Sequence, residues 1–451
     1  MDTSESIVGP VLPVDDRDGQ RNPCARQIVS ALGVRFGEPA PLIDSPAGLL
    51  ISGCRPGTEV VLHARVDQGG SGFEATGTFL ASDRGTVDTA MAPSLRGTYE
   101  GIDPFGLWWS GEPVEAATVT PQAPPAAPMP CRLSLDTSAG RAEFVLERHW
   151  LASGATLTQV REPGVLGLFA RPVGPGPFPA VVAFGGSGGG LGPAAAWAPI
   201  LASHGIAVLA IAYFGAPGLP QSLVGIEVEV VERAVGWLLS RDDVIPGTLA
   251  VMGMSRGSEL ALLASVLVGH VGPVVAFAPS GISWDGLDSQ GPVDAPAWIY
   301  RGEEIPYAHI GAEARMGLLP TQDPLALRPA FETALRDEAA ISRAEIPIER
   351  AKGPILMVSG EDDAMWPSTT MGEIAERRAA THGLTPQVRH LRYPDAGHVC
   401  AGVPGTPVIT EVRHPMTGGY YSFGGSRAGN AAARAHSWPQ VVTFLHNALP
   451  A

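Results

Sequence analysis

Two patterns of hydrophobic and polar positions divide the chain. In the first, from about residue 45 to 110, hydrophobic and polar positions alternate, as in GTEVVLHARVD and in the two runs that flank SDRG. Alternation with period two is typical of half-buried strands, and the turn residues between the runs predict hairpins. CRLSLDTSAGRAEFVLERHWL adds two further strands. We therefore expect a loose polar segment at 1–40, an all-β sandwich domain at 41–155 and, within it, a Pro/Ala-rich surface connection at 119–130.

The second pattern begins near residue 160, where short apolar runs alternate with helical periodicity. The predicted strands are FPAVVAFGG (178–186), IAVLAIAY (206–213), GTLAVMGMS, VGPVVAFAPS (271–280), GPILMVSGEDD (353–363) and PQVRHLRYPDAGH (386–398). The predicted helices are AAAWAPILASHG (194–205), IEVEVVERAVGWLLS (226–240) and RGSELALLASVLV. This order predicts an α/β domain at 156–451, with a mostly parallel sheet covered on both faces. Functional residues should follow the carboxyl ends of its strands.

Composition narrows the class of partner. A net charge of −15 disfavours nucleic acid, which needs a basic face. The four cysteines form no C-x-x-C pair, so neither a disulfide framework nor a metal site is expected. The chain opens without a signal-peptide pattern, GIAVLAIAYFGA is too short to cross a bilayer, and HNALPA lacks a peroxisomal S-K-L ending. We expect a cytoplasmic protein that does not bind membranes; no pattern indicates its oligomeric state.

The stretch VMGMSRGSEL (251–260) carries the first chemical signal. It places a G-x-S-x-G motif between a predicted strand and a predicted helix, which is the context in which such a serine is an exposed nucleophile rather than an ordinary turn residue. Ser255 is therefore a candidate nucleophile. Asp362 and Asp363 follow a later strand and His398 follows the next, giving the order serine, acid, histidine. We favour Asp363 over Asp362 as the acid, because it is the fourth residue of a G-x-x-D loop.

An acyl-transfer site also needs donors for the developing oxyanion. We expect them to be the backbone N–H groups of Arg256 and of Gly186 and Ser187 in the loop GGSGGGLG (185–192). That loop is a poorer nucleotide cradle, because it lacks the G-K-[ST] ending of a P-loop. The segment 281–345 lies between two predicted strands and should cover the site. Its aromatic residues, candidate acyl contacts or packing residues, are Trp284, Trp298 and Tyr300.

These motifs together resemble one known family, the acyl-CoA thioesterase / bile acid-CoA:amino acid N-acyltransferase family. The resemblance extends from about residue 40 to 449. It rests on FEATGTF, YEGIDPFGLWWS, FGGSGGGLG, LASHGIAVLAIAYFGAPGLPQSL, GMSRGSELALLAS, VSGEDDAMWPS, YPDAGHV and GGSRAGNAAARAHSWPQVVTFL. It implies a β-sandwich domain followed by an α/β-hydrolase domain. It also implies Ser255 as nucleophile, Asp363 as orienting acid and His398 as base.

The resemblance further implies a thioester substrate, commonly acyl-CoA, and no resident cofactor. Hydrolytic members of the family carry serine as the nucleophile, whereas conjugating members tend to carry cysteine. We therefore expect an acyl thioester hydrolase, with CoA or an acyl carrier protein as the thiol. An acyltransferase that passes the acyl group to an amine or hydroxyl is the main alternative. A serine peptidase or esterase and a non-catalytic acyl-binding protein are further alternatives.

Overall fold

The computed structural model describes residues 32–68, 71–114, 128–138, 140–311, 323–384 and 387–451. These residues belong to two compact units. Of the described residues, those within 32–114, 128–150 and Pro404–Val408 form the N-terminal unit, and those within Leu151–Val403 and Ile409–Ala451 form the C-terminal unit. The short segment Pro404–Val408 thus joins the N-terminal unit from far along the chain. No hydrophobic periodicity predicted this.

Antiparallel strands make up most of the described N-terminal unit. They are β1 (Gly33–Phe36), β2 (Leu49–Ser52), β3 (Glu59–Gln68), β4 (Ser71–Leu80), β5 (Val87–Asp88), β6 (Arg96–Gly97), β7 (Glu112–Pro113), β8 (Met129–Thr137) and β9 (Gly140–Arg148); the short helix α1 (Gly106–Trp109) follows β6. One sheet has the order β1-β2-β5, and the other has the order β6-β4-β3-β8-β9 with β7 on β4. In β3, buried and more exposed positions alternate. The predicted all-β domain is confirmed.

Three expectations for this unit are corrected. Residues 33–36 of the predicted loose segment form β1, because Val34 and Phe36 are buried when the strand pairs with β2; residues 1–31 lie outside the described residues. The runs on either side of SDRG do not form a hairpin, since β5 pairs with β2 in the other sheet. Finally, Met129–Pro130 begin β8 rather than end a surface connection; residues 119–127 are outside the described part of the chain.

The C-terminal unit contains the predicted α/β domain. Its strands are β10 (Thr156–Glu162), β11 (Val165–Arg171), β12 (Ala180–Phe184), β13 (Ala207–Ala212), β14 (Ile226–Glu227), β15 (Leu249–Met254), β16 (Val271–Phe277), β17 (Asp285–Asp288), β18 (Gly291–Pro296), β19 (Trp298–Tyr300), β20 (Glu303–Glu304), β21 (Ile355–Gly360), β22 (Val388–Tyr393), β23 (Glu411–Arg413) and β24 (Tyr420–Ser422). Its helices are α2 (Ala194–Ser203), α3 (Glu229–Leu239), α4 (Arg256–Leu267), α5 (Arg328–Ala334), α6 (Glu338–Ala344), α7 (Ser368–Thr381) and α8 (Arg427–Ala448).

Eight strands of the described residues form the main sheet, in the order β10-β11-β13-β12-β15-β16-β21-β22. The pairs from β13 to β22 are parallel, as predicted. The antiparallel pair β10 and β11 at one edge was not predicted. Every residue of β12, β16 and β21 is buried, so both faces of the sheet centre are covered, which explains their continuous apolar runs. The fold is that of an α/β-hydrolase.

The parallel direction of these strands positions the site. Because the carboxyl ends of parallel strands meet at one edge, the residues that follow β12, β15, β21 and β22 come together there. Those residues include the predicted glycine loop, Ser255, Asp363 and His398. In the described ranges no helix combines the length and the hydropathy that a membrane span requires.

Candidate active site

Ser255 lies on a sharp turn between β15 and α4. Its backbone has φ = 57° and ψ = −126°, a conformation that L-residues rarely adopt and that costs about 1–3 kcal/mol. The two motif glycines make the turn possible: a Cβ on Gly253 would overlap the carbonyl of Gly257, and one on Gly257 would overlap that of Gly185. The side chain of Ser255 is left partly exposed at the start of a helix. This is the strand–turn–helix context that the motif predicted.

Asp363 and His398 form a short contact on the loops after β21 and β22. Asp363 is completely buried, and its Oδ1 accepts hydrogen bonds from the backbone N–H groups of Met365 and Trp366 at 2.9 and 3.2 Å. Its Oδ2 lies 2.8 Å from Nδ1 of His398. A carboxylate in this position fixes the proton on Nδ1 and leaves Nε2 free to accept one. The alternative acid, Asp362, has an exposed side chain.

The predicted tail motif holds these two loops together. The backbone N–H of His398 donates to the Phe423 carbonyl at 2.7 Å, and that of Gly397 donates to Oδ1 of Asn430 at 3.0 Å. Gly424 has φ = 71°, and a Cβ there would overlap the Asp362 carbonyl. The GGSRAGN stretch therefore fills the space between the acid loop and the histidine loop, where only glycine backbone fits.

Two aromatic rings fix the orientation of the His398 ring. Phe423 stacks on it with 5.8 Å between ring centroids and an interplanar angle of 24°, and Trp366 meets it edge-on at 5.9 Å. The ring is 4% exposed. Neither aromatic residue was predicted to belong to the site, since no local motif distinguishes it from a core residue. Trp366 is part of the quoted motif VSGEDDAMWPS, which was the available signal.

Ser255 and His398 line one cavity of about 340 Å³ within the C-terminal unit. One part of its wall is apolar and includes Leu287, Ile310, Leu327, Ala330, Phe331, Met365 and Trp366. Another part carries polar side chains, among them Ser187, Gln290, His414 and Thr417. A cavity of this size and mixed lining suits a small organic substrate whose reactive group lies beside Ser255.

The predicted glycine loop passes beside Ser255. A Cβ on Gly186 would lie 3.0 Å from the Ser255 Cβ, and Ser187 lines the cavity. The phenol of Tyr213 donates to the Gly185 carbonyl at 2.8 Å and ties this loop to the strand β13 side of the sheet. The backbone N–H of Arg256 is the first of α4 and has no acceptor within the helix. The glycine loop and the start of α4 therefore both adjoin Ser255.

The Arg256 side chain, to which no motif assigns a role, lies in a buried network. Its guanidinium is 3.0 Å from Oε1 of Glu259 and donates to the carbonyls of Trp284 and Asp285 at 3.0 and 2.6 Å. Burial raises the pKa of Glu259 to about 7, and the neighbouring Arg256 charge opposes that rise. Oε2 of Glu259 accepts from Nε1 of Trp298 at 2.8 Å. The network anchors the helix start to the segment that covers the site.

Trp284, Trp298 and Tyr300, the candidates for acyl contact or for packing, are not among the described residues that line the cavity. Trp284 and Trp298 are fully buried, and Nε1 of Trp284 donates to Ser280 Oγ at 3.1 Å. The Tyr300 hydroxyl donates to Glu232 Oε1 at 3.0 Å. Their polar atoms are hydrogen-bonded to these acceptors, and none of the three lines the cavity. The segment 281–345 does contribute lining, through Leu287, Ile310 and Phe331; its residues 312–322 lie outside the described ones.

The cysteines of the described residues are buried. Cys54, Cys131 and Cys400 are free and buried, while Cys24 lies outside the described ranges. Burial raises the pKa of the Cys131 thiol to about 11, far from that of a reactive thiolate. No group of three or more histidine, cysteine or acidic side chains in the described part of the chain could hold a metal ion.

A serine on a strained strand–helix turn and a buried acid–histidine pair at neighbouring strand ends place the chain in the α/β-hydrolase class. The chain belongs to the BAAT / acyl-CoA thioester hydrolase family: the C-terminal region of that family matches residues 226–451, and its N-terminal region matches residues 44–162.

Relatives of known activity agree with this family. The chain is 31% identical over 416 residues to human acyl-coenzyme A thioesterase 1, covering 90% of this chain and 94% of that protein. It is 30% identical to rat acyl-coenzyme A thioesterase 1 over 415 residues, with the same coverage. Mouse peroxisomal succinyl-coenzyme A thioesterase is 30% identical over 418 residues, covering 89% and 93% of the two chains. These relatives are thioester hydrolases, and the chain is an enzyme of that hydrolase fold.

Proposed function

We propose that the protein is a serine-dependent acyl thioester hydrolase. The observation that carries the proposal is the pairing of a buried acid–histidine contact, Asp363 Oδ2 to His398 Nδ1 at 2.8 Å, with Ser255 on the wall of the same cavity. The family to which the chain belongs supports a thioester as substrate. The roles of the three side chains are inferred from their geometry and their order along the chain.

The proposed reaction has two halves. In acylation, the Ser255 hydroxyl attacks the thioester carbonyl while His398 Nε2 takes the hydroxyl proton; the carbon–sulfur bond then breaks and the thiol leaves with that proton. In deacylation, His398 removes a proton from water as the water oxygen attacks the ester carbonyl. The bond from the acyl carbon to Ser255 Oγ then breaks, His398 returns the proton to that oxygen, and the carboxylic acid leaves. Asp363 holds the imidazole in the required orientation, and stabilises it when it is charged.

The oxyanion of each tetrahedral intermediate needs hydrogen-bond donors. We assign this role to the backbone N–H groups of Arg256, Gly186 and Ser187. Support comes from the position of Gly186 beside the Ser255 side chain and from the unpaired N–H groups that begin every helix. The α4 dipole adds partial positive charge at the same end.

The substrate is assigned as a class. The apolar wall formed by residues such as Ile310, Phe331 and Met365 suits an acyl group, and the polar wall suits an amide or hydroxyl on the acyl group or its thiol carrier. CoA and an acyl carrier protein share the same pantetheine thioester, so either is compatible with this site. The family also includes acyltransferases, so transfer of the acyl group to an amine or hydroxyl is the second candidate function. We also propose a cytoplasmic location.

Intact-protein mass spectrometry tests the proposal. The full chain is incubated with matched acyl-CoA, acyl-pantetheine and acyl-carrier-protein thioesters, with and without amine acceptors, and quenched at short times. We expect a mass increase equal to one acyl group, lost in the Ser255→Ala variant, followed by release of free acid. If amide or ester is the main product, the protein is an acyltransferase rather than a hydrolase. If neither an acyl adduct nor turnover is observed, both functions are wrong.

A further inference from the structure

A second serine–histidine contact lies on the wall of the same cavity. Ser187 Oγ is 3.0 Å from Nε2 of His414, and both residues line the cavity beside Ser255 and His398. His414 follows β23 and is 8% exposed. Its position 227 residues after Ser187 explains why no sequence motif joins the two.

The protonation of His414 follows from its other neighbour. The backbone N–H of Thr417 donates to Nδ1 at 3.3 Å, so that nitrogen carries no proton. Burial lowers the pKa of His414 to about 4, so the ring is neutral at neutral pH. A neutral imidazole without a proton on Nδ1 carries it on Nε2. His414 therefore donates its Nε2–H to Ser187 Oγ.

This direction determines what the Ser187 hydroxyl can do. An oxygen that accepts from His414 still has its own proton to donate. Among the described residues, no protein acceptor for that proton is found apart from the His414 nitrogen, which is already protonated. Ser187 follows Gly186, whose backbone runs beside Ser255, and it lines the same cavity. Its hydroxyl proton is therefore available to a group bound in that cavity.

We propose that the Ser187 hydroxyl donates a hydrogen bond to the substrate's carbonyl oxygen as it becomes an oxyanion, and that His414 is the positioning residue that orients this hydroxyl. The inference rests on the proposed function, because it needs an acyl group on Ser255. It adds a side-chain donor to the backbone donors of the glycine loop. Such a donor acts in the transition state more than on bound substrate, so it changes kcat rather than KM.

The test compares four variants. Ser187→Ala removes the donor and Ser187→Thr keeps it; His414→Leu removes the orienting N–H and His414→Gln restores an N–H donor near the Nε2 position. We expect Ser187→Ala and His414→Leu each to lower the acylation rate about tenfold to a hundredfold, with KM changed little, since one oxyanion donor is worth about that much or more. The Thr and Gln variants should recover most of the rate. Ser240→Ala and His382→Leu, on exposed helix ends, serve as matched controls.

Two further readouts separate this role from a structural one. An acyl trifluoromethyl ketone forms a tetrahedral adduct on a reactive serine, so its affinity should fall in parallel with kcat/KM in Ser187→Ala and not in the controls. The double variant Ser187→Ala/His414→Leu should be no slower than Ser187→Ala, because His414 acts only through the hydroxyl that this variant lacks. The inference would be wrong if Ser187→Ala were acylated at the wild-type rate, or if the double variant lost the product of the two single-variant rate reductions. Either result would leave the proposed function intact. If no thioester acylated the wild-type protein, the proposed function would be wrong, and this inference would fail with it.

Discussion

The hydroxyl oxygen of Ser359 lies 2.7 Å from Nε2 of His390, and Nδ1 of that ring lies 3.3 Å from a carboxylate oxygen of Glu376. A second set of serine, histidine and acid side chains in mutual contact therefore exists away from the cavity. Ser359 is fully buried inside β21, and burial lowers the pKa of His390 to about 3, so the ring is a weak base. Ser255 differs from Ser359 in its strained turn and its access to the cavity rather than in the residue types around it.

This contrast supplies the control for the nucleophile. Ser255→Ala should abolish acyl-enzyme formation and lower turnover by about a thousandfold or more, because the nucleophile, base and acid act as a unit. Ser359→Ala should still form the adduct, since no substrate reaches that side chain. Both are measured by single-turnover mass spectrometry on protein shown to be folded by circular dichroism. Near-normal turnover by Ser255→Ala would remove Ser255 from the mechanism.

The two neighbouring acids give a second prediction. Asp363→Asn should lower kcat by about a thousandfold to ten thousandfold, because an amide does not hold the histidine in the required tautomer. Asp362→Asn should keep most activity, since its side chain is exposed and His398 contacts Asp363. Steady-state kinetics on one thioester decides between them. The opposite order of effects would assign the acid role to Asp362.

The nucleophile atom gives a third prediction, about the fate of the acyl group. An acyl ester on serine is less reactive toward amines than an acyl thioester on cysteine, so wild type should release mostly free acid. Ser255→Cys should still be acylated and should form more amide when an amine is supplied. The measurement is the ratio of amide to acid at one amine concentration for both proteins. Equal ratios would show that the acceptor site, not the nucleophile, decides the product.

His414 makes the folded protein sensitive to acid. Its pKa is about 4 in the folded chain and about 6.5 in an unfolded one, so between these values the unfolded state binds more protons. The free energy of unfolding should therefore fall as the pH drops through this window, by up to about 1.4 kcal/mol per pH unit from this group. Urea unfolding at pH 7 and pH 5 measures it. His414→Gln should lose less stability over that interval; an equal loss would mean that His414 is charged in the folded state.

The sequence predicted the part of the site that is local. Ser255 and its two glycines form one motif on one strand–helix turn, so the conformation that exposes the serine is encoded within five residues. Asp363 and His398 were proposed because each follows a predicted strand of the same parallel sheet. The apolar runs of β12, β16 and β21 likewise predicted buried parallel strands, since full burial on both faces removes polar positions.

The remainder depends on contacts between distant segments. The Ser187–His414 contact and the stacking of Phe423 on His398 join residues that no periodicity relates. Trp298 and Tyr300 were candidates for acyl contact or for packing, yet each side chain is held by a glutamate acceptor, the buried Glu259 and the half-buried Glu232 respectively. The edge strands β10 and β11 were missed because their antiparallel pairing requires no intervening helix, which is the pattern that revealed the others.

The contact between the tail and the histidine loop has a consequence for biosynthesis. A ribosome delivers the chain from its N-terminus, so the turn at Ser255 and the sheet around it emerge well before Gly424 and Asn430. Until Asn430 receives the Gly397 N–H and Gly424 fits against the Asp362 carbonyl, the loops that carry Asp363 and His398 lack the contacts that hold them together. A nascent chain would therefore bury its core before these two loops were held together, and catalytic competence would be the last property that the enzyme acquires.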